Sequence, residues 1–135
     1  SAAAAIEVSN TTSYMVVVDE WRTNLALPKL TRDAILEANA YKTCVDGDGQ
    51  MVHQLNSGTL AQVLAPGDVK QNFKHIFVGA WLCEKPNMAG MSGVCGKESI
   101  GWHYLTTDHA DILTSTKYTK IGCASSGGIA GCDLA

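Results

Sequence analysis

Apolar residues recur at steps of three and four in the first third of the chain. Over Thr11–Leu25 this spacing predicts an amphipathic helix that ends before Pro28. A second helix is predicted to begin after Thr31, a suitable N-cap, and to end at the Asp-Gly-Asp-Gly turn of residues 46–49. Its predicted buried face consists of Ala34, Ile35, Ala38 and Tyr41.

The widest apolar stripe follows Asp68, which we expect to cap a third helix over residues 68–85. Glu84 extends this stripe by one turn beyond Ala80 and Trp81. A glutamate in that position has two interpretations. Either it lies in solvent at a frayed last turn, which is the more common case since Glu is seldom fully buried unless it is paired, or it points its carboxylate into a cleft.

Shorter patterns predict the remaining elements. Residues 50–55 alternate weakly and suggest a strand that carries His53, whereas residues 58–67 suggest one or two helical turns. Residues 99–107 predict another strand, and Asp108 is expected to begin a short helix. Lys120–Ala124 and Gly128–Leu134 then predict a β-hairpin around a Ser/Gly turn. The mixture indicates an α+β fold, and we expect a single domain over residues 1–135.

Composition and charge exclude several classes of partner. The 135 residues carry a formal net charge of −3, and the Lys and Arg residues are scattered rather than clustered. A nucleic-acid-binding or anionic-membrane surface is therefore not expected. No apolar run reaches the roughly 18 residues that a membrane-spanning helix needs, so no membrane span is expected either.

The five cysteines fit no CxxC zinc knuckle. Their spacing suggests disulfides between Cys83 and Cys95 and between Cys123 and Cys132, which leaves Cys44 as a free thiol; other pairings of the five stay open. Such bridges persist in an oxidising compartment. Asn10 begins an Asn-Thr-Thr sequon, so it is a candidate site of N-glycosylation.

Signatures of common enzymes are missing: the sequence has no nucleophile elbow, phosphate loop, dinucleotide fingerprint or HExxH motif. What remains is a group of polar residues in apolar settings: His53, Gln62, Glu84 and His109. Taken singly, each is more typical of a hydrogen-bonded structural residue than of a catalytic one.

Several motifs, in their order and spacing, resemble the CAP superfamily of cysteine-rich secretory proteins, antigen 5 and plant pathogenesis-related 1 proteins. The likeness covers nearly the whole chain. The stretches that carry it are VDEWRTNLALPKLT, LEANAYKT, MVHQLNSG, AQVLA, WLCE, GVCG and HADILTSTKYTKIGCA.

The resemblance implies an α/β/α sandwich with a small central antiparallel sheet. It also implies that the family's cleft tetrad of two histidines and two acidic residues falls on His53, Gln62, Glu84 and His109. Gln62 is a departure, because an amide binds cations weakly and transfers no proton. His53, Glu84 and His109 would still suffice for a three-ligand site for zinc or another divalent metal.

The resemblance further implies a secreted, extracellular protein without enzymatic activity that binds a sterol or a fatty acid in defence, virulence or host interaction. The family's aromatic stretch associated with sterol contact is DHADILTST in this chain, without its Tyr and Trp. Two alternatives remain. One is a metal-dependent cleft with hydrolase activity, and the other is an allergen-like module that binds a host or target protein and retains only a vestigial cleft.

Overall fold

A computed structural model describes residues 14–135, whose centre is a four-stranded sheet. The strands are β1 (Thr31–Arg32), β2 (Ala61–Pro66), β3 (Lys120–Ser126) and β4 (Ile129–Leu134), in the order β1-β3-β4-β2. β2, β4 and β3 are antiparallel, and only the two-residue β1 runs parallel to its neighbour β3.

The C-terminal hairpin is confirmed, with a tighter turn than predicted. Ser125 and Ser126 continue β3, so that Gly127 and Gly128 alone connect it to β4. Both glycines have positive φ, 63° and 82°. A two-residue hairpin turn with two left-handed positions favours glycine at each, because a glycine has no Cβ to clash there.

Helices cover both faces of this sheet. They are α1 (residues 14–24), α2 (Ala34–Gly47), a π helix (His75–Trp81) continued by a 3-10 turn (Leu82–Glu84), α3 (Cys95–Glu98) and α4 (Asp108–Thr114). The π geometry extends to the end of its helix, where the Leu82 N–H reaches the carbonyl oxygen of Phe77, five residues earlier.

The core is divided by the sheet into two unequal parts. Beneath α2 lies a small cluster of Cys44, Leu64 and Ile129. α2 approaches β3 closely at Gly122, where a Cβ would come within 2.2 Å of the Glu37 nitrogen. The larger cluster joins α1, the π helix and the opposite face of the sheet. This arrangement confirms the α+β class and the α/β/α sandwich.

The second helix was predicted with the wrong cap and the wrong buried face. Asp33, rather than Thr31, is the N-cap, and its carboxylate accepts a hydrogen bond from the Leu36 N–H. Thr31 belongs to β1 instead. The predicted face is exposed, and the residues that are buried are Leu36, Glu37, Ala40, Thr43 and Cys44. Glu37 can be buried because Arg32 and the Tyr14 hydroxyl both donate hydrogen bonds to its carboxylate.

Three further predictions of secondary structure were wrong, and a fourth had the wrong starting residue. Residues 50–55 and 99–107 form no strand, and Ala61–Pro66 is strand β2 rather than a helical turn. The third helix begins only at residue 73, because Asp68 uses its side chain to accept from the Lys70 N–H in a preceding turn. The predicted first helix begins among residues that lie, like Asn10, outside the described part of the chain.

Both preferred disulfides, Cys83–Cys95 and Cys123–Cys132, are present, and Cys44 is a buried free thiol. The first bridge ties the 3-10 turn to the start of α3, and the second joins directly paired residues of β3 and β4. Within residues 14–135, no helix is both long and apolar enough to cross a bilayer.

Candidate functional site

Glu84 and His109 contact each other, although 25 residues separate them in the sequence. The His109 Nδ1–H donates a hydrogen bond to Glu84 Oε2 over 2.7 Å, and the Ala110 N–H donates to Oε1 over 2.8 Å. Only 5% of the Glu84 side chain is exposed, against 33% for His109. The carboxylate therefore holds the first turn of α4 against the 3-10 turn, so the interpretation of Glu84 as a solvent-exposed residue of a frayed turn is wrong. That its carboxylate faces a cleft stays a prediction.

Aromatic rings support this pair. The His109 ring lies nearly parallel to the indole of Trp81, with 6.5 Å between the ring centroids. Trp81 is itself fixed, because its Nε1–H donates to the Leu64 carbonyl of β2 over 3.1 Å. Tyr104 donates from its hydroxyl to the Gly79 carbonyl, and burial together with the nearby Glu84 charge raises the pKa of Tyr104. The His109 imidazole is thus packed against an indole that a hydrogen bond holds in place.

His53 and Gln62 form a second pair at the start of β2. His53 Nδ1 lies 3.0 Å from Gln62 Oε1, which also accepts from the Gln54 N–H. Gln62 is buried, whereas His53 is exposed in the irregular segment between α2 and β2. Because the amide oxygen is an acceptor, the contact requires the proton of His53 on Nδ1.

The amide nitrogen of Gln62 continues this contact into a buried network. It donates to Asp133 Oδ1 over 2.8 Å and lies 3.0 Å from the Thr43 hydroxyl. The other oxygen of Asp133 accepts from the Thr59 hydroxyl over 2.7 Å. Asp133 is fully buried, and burial raises its pKa above the ordinary value of 3.8, although the hydrogen bonds from Thr59 and Gln62 partly oppose that rise.

The structure thus brings the four predicted site residues together in two pairs. Among the hydrogen bonds and ion pairs of residues 14–135, none joins one pair to the other. In the same part of the chain, no three His, Cys, Asp or Glu side chains are grouped as a metal ion requires. The zinc site of His53, Glu84 and His109 remains a prediction.

A cavity of about 260 Å³ opens beside His53 at the C-terminal end of α2. Its wall is formed by Thr43, Asp46, Gly47, Gln50, Val52, His53 and Gln54. Val52 is 58% exposed, and its neighbours Met51 and Leu55 are exposed to a similar extent. Asp46 is paired with Lys42, and hydrogen bonds from Lys42 and Gln54 hold its pKa below the usual range. Val52 is thus the one apolar side chain of moderate or large size in the wall, and we call it, with the exposed Met51 and Leu55 close to it in the sequence, the apolar rim. Of the polar side chains in the wall, those of Thr43, Asp46, His53 and Gln54 have hydrogen-bond partners.

A comparison with models of protein families shows which family this chain belongs to. The family model for the cysteine-rich secretory protein family, CAP, matches residues 16–133. This chain belongs to the CAP family. The matched range includes both histidine-containing pairs, both disulfides and all of the sheet except Leu134. A search of curated proteins found no match.

The structure explains why this CAP protein has glutamine at position 62. A carboxylate there would lie about as close to Asp133 as the amide does now, at 2.8 Å, in a site shielded from water. Two carboxylates at that distance cannot both be ionised. The amide instead donates to Asp133 while accepting from His53, which a glutamate cannot do in its charged form.

Sequence reasoning missed three members of this network: Asp133, Thr59 and Thr43. A weak signal was available for Asp133, since it is the only charged residue within the apolar strand Ile129–Leu134. A charge in a strand whose residues are all buried requires hydrogen-bonding partners. Nothing in the spacing of Thr43 or Thr59 indicated that they would supply them.

Proposed function

We propose that this CAP protein is secreted, has no enzymatic activity and binds a small apolar ligand, a fatty acid or a sterol, in the cavity beside His53. The observation that carries the proposal is the exposed apolar rim of that cavity. Val52 lines it, and Met51 and Leu55 leave more than half of their surface in water. Burying such side chains under a ligand is favourable by about 25 cal/mol per Å² of apolar surface.

The size of the cavity favours an acyl chain over a sterol. Pockets for small molecules usually enclose about 300–1,000 Å³, and this one encloses about 260 Å³. It therefore accommodates one end of a slender ligand, while the rest lies across the exposed side chains of Met51 and Leu55. A rigid ring system would leave more of its surface in water.

The hydrogen bonds of the His53–Gln62 and Glu84–His109 pairs support the absence of enzymatic activity. Both oxygens of Glu84 accept hydrogen bonds from α4, and every polar atom of Gln62 has a partner. A general base has to be within reach of a substrate proton and free to accept it. In this protein the same groups hold secondary structure together.

Secretion is supported by the two disulfides, which would be reduced in a cytosol. In an extracellular setting, a bound lipid would serve defence, virulence or host interaction, and contact with a host or target protein would accompany it.

The proposal is tested with delipidated protein and a fluorescent fatty acid, whose displacement by unlabelled fatty acid and by sterol is compared. Val52→Asp should abolish binding, because it places a charge in the apolar rim. Leu105→Asp is the control, since Leu105 is 99% exposed and does not line this cavity. No binding of either lipid, or equal loss in both variants, would overturn the proposal.

Catalysis and metal binding are examined in parallel. Zinc titration by calorimetry at neutral and at acidic pH measures any site on His53, Glu84 and His109, because imidazole ligands lose the metal on protonation. Metal-dependent, saturable ester or peptide hydrolysis that Glu84→Ala removes would establish the hydrolase alternative instead.

A further inference from the structure

The orientation of the buried Gln62 amide is fixed by the backbone of one neighbouring residue. The Gln54 N–H donates to Gln62 Oε1 over 3.1 Å, and the Gln54 carbonyl accepts from Gln62 Nε2, also over 3.1 Å. A backbone N–H can only donate and a carbonyl oxygen can only accept, so the amide cannot be turned over. Its oxygen therefore lies on the side of His53, and its nitrogen on the side of Thr43 and Asp133.

This orientation decides which nitrogen of His53 carries the proton. Nδ1 lies 3.0 Å from Gln62 Oε1, an atom that only accepts, so the proton is on Nδ1. In a neutral imidazole the other nitrogen, Nε2, then has a lone pair and is a hydrogen-bond acceptor. Nε2 has no hydrogen-bond partner among residues 14–135, and His53 is an exposed residue of the cavity wall. A bound ligand can therefore form a hydrogen bond with it.

The remaining polar side chains of the wall do not select a head group. The Thr43 hydroxyl is buried and lies 3.0 Å from the Gln54 carbonyl oxygen. The Asp46 carboxylate accepts from Lys42 and from the Gln54 side-chain amide. Gln50 is exposed, and its amide can donate as well as accept. Selection of a head group therefore falls to the imidazole.

The charges around the cavity disfavour an anionic head group. Asp46 is the one acidic side chain in the wall, and its two hydrogen-bond donors hold its pKa below the usual range, so it is charged at neutral pH. The wall, as residues 14–135 form it, contains no Lys or Arg. Lys42 beside the wall is already paired with Asp46. A carboxylate bound here would therefore lose hydration without gaining an unpaired cation.

We propose that the lipid bound in this cavity has a neutral head group that donates a hydrogen bond to His53 Nε2, as the hydroxyl of a long-chain alcohol does. The inference rests on the lipid-binding function proposed above and names the head group of its ligand. The acyl chain covers the apolar rim of Val52, Met51 and Leu55. A fatty acid has a proton to donate only while its carboxyl group is protonated, so at neutral pH it binds less tightly than the alcohol of the same length.

Three ligands of equal chain length test the proposal. Dodecanol donates a hydrogen bond, dodecanoate is charged, and methyl dodecanoate is neutral but has no proton to donate. Their binding to the delipidated full chain is compared by displacement of a fluorescent long-chain alcohol at mildly alkaline pH, where imidazole side chains are neutral. Dodecanol should bind about tenfold more tightly than dodecanoate and about fivefold more tightly than the methyl ester, the scale of one charge and one hydrogen bond.

Replacing His53 tests which atom selects the head group. His53→Phe removes the acceptor and keeps a ring in the cavity wall. The variant should bind dodecanol and methyl dodecanoate equally, so that the preference for the hydroxyl disappears while binding of the chain persists. His103→Phe is the matched control, since His103 is also exposed and does not line the cavity, and it should keep the preference.

NMR reports the tautomer of His53 independently of affinity. Long-range nitrogen–proton correlation spectra of the lipid-free protein should show a protonated Nδ1 and an unprotonated Nε2. Addition of dodecanol should shift the Nε2 signal of His53 and leave the signals of His103 unchanged. A proton on Nε2 of His53 in the neutral imidazole would overturn the proposal, because that nitrogen could not accept.

The outcomes separate this proposal from the function on which it rests. If none of the three lipids binds, the lipid-binding function itself is overturned. If the lipids bind but dodecanoate binds as tightly as dodecanol, lipid binding stands and the assignment of the head group is overturned. The same conclusion follows if His53→Phe keeps the preference for the alcohol, or if both histidine variants lose it.

Discussion

His109 and Glu84 form one of the contacts that fasten α4 to the rest of the fold. The imidazole Nδ1–H and the Ala110 N–H each donate to one oxygen of the Glu84 carboxylate, over 2.7 and 2.8 Å. One carboxylate thereby satisfies two donors in the first turn of a seven-residue helix. So short a helix depends on such tertiary contacts, because it is far below the length at which helices are stable alone.

Replacing this carboxylate should therefore weaken the fold. We expect Glu84→Ala to lower the free energy of unfolding by about 2 kcal/mol, since it removes two hydrogen bonds to a charged acceptor and leaves the Ala110 N–H without its partner. Urea unfolding measures the loss, and hydrogen exchange should show faster exchange of the α4 amides than of the sheet amides.

Asp111→Ala is the control for that variant. Asp111 is on the same helix and pairs with Lys85 at the surface, and hydrogen bonds from Lys85 and Thr107 lower its pKa. Because this pair is screened by solvent, its loss should change stability little. Equal stability of Glu84→Ala and the unchanged protein would mean that the carboxylate does not hold α4.

A second prediction concerns position 62, which the resemblance to the family matches with an acidic residue. We expect Gln62→Glu to destabilise the protein by about 3 kcal/mol at neutral pH, the usual scale for an uncompensated buried charge. The reason is Asp133, whose Oδ1 lies 2.8 Å from the Gln62 amide nitrogen. Urea unfolding at neutral and at acidic pH measures the effect, which should shrink as the carboxylates become protonated.

The double variant Gln62→Glu/Asp133→Asn separates charge repulsion from lost packing. If repulsion is the cause, exchanging the amide and the carboxylate should recover most of the lost stability, and the two substitutions should be strongly non-additive. Additive losses would show that the two side chains are not coupled and that the network described for Gln62 does not contribute to folding.

The relation between sequence and fold differs from one element to the next. The hairpin was predictable because two apolar strands flank a Gly-Gly turn, a purely local signal. β2 was not, because the segment 58–67 contains an apolar run that suits a helix as well as a strand. Its pairing with β4, six residues in register, decides the outcome, and β4 is about seventy positions away in the sequence.

The candidate site was predictable only in part, for a similar reason. Family resemblance identified the positions of His53, Gln62, Glu84 and His109, and the structure places them in two contacting pairs. The hydrogen-bond partners of these residues could not be predicted from the sequence, since Asp133 meets Gln62 only after β2 and β4 have paired. The face of α2 was mistaken because periodicity shows that a face is apolar, not what it packs against.

A third prediction concerns Cys44, whose side chain lies beneath α2 with Leu64 and Ile129. Burial raises the pKa of its thiol to about 11, so almost no thiolate is present at neutral pH. We expect no reaction of the folded protein with a thiol reagent, and one reactive thiol per chain in denaturant without reductant. No thiol in denaturant would indicate an intermolecular bridge or a modified cysteine, and three or more would mean that a disulfide is missing.

The last prediction concerns Asp133. Burial is the main cause that raises the pKa of its carboxyl group above 3.8. The folded protein then holds this proton more tightly than the unfolded chain does, so this group's contribution to stability is largest in acid and falls as the pH rises through the raised pKa. Asp133→Asn removes that dependence while its amide can still accept from Gln62 and donate to the Thr59 hydroxyl. Relative to the unchanged protein, the variant should therefore gain stability between acidic and neutral pH. Urea unfolding of both proteins across this range measures the difference. A constant difference at every pH would show that Asp133 titrates alike in the folded and unfolded states.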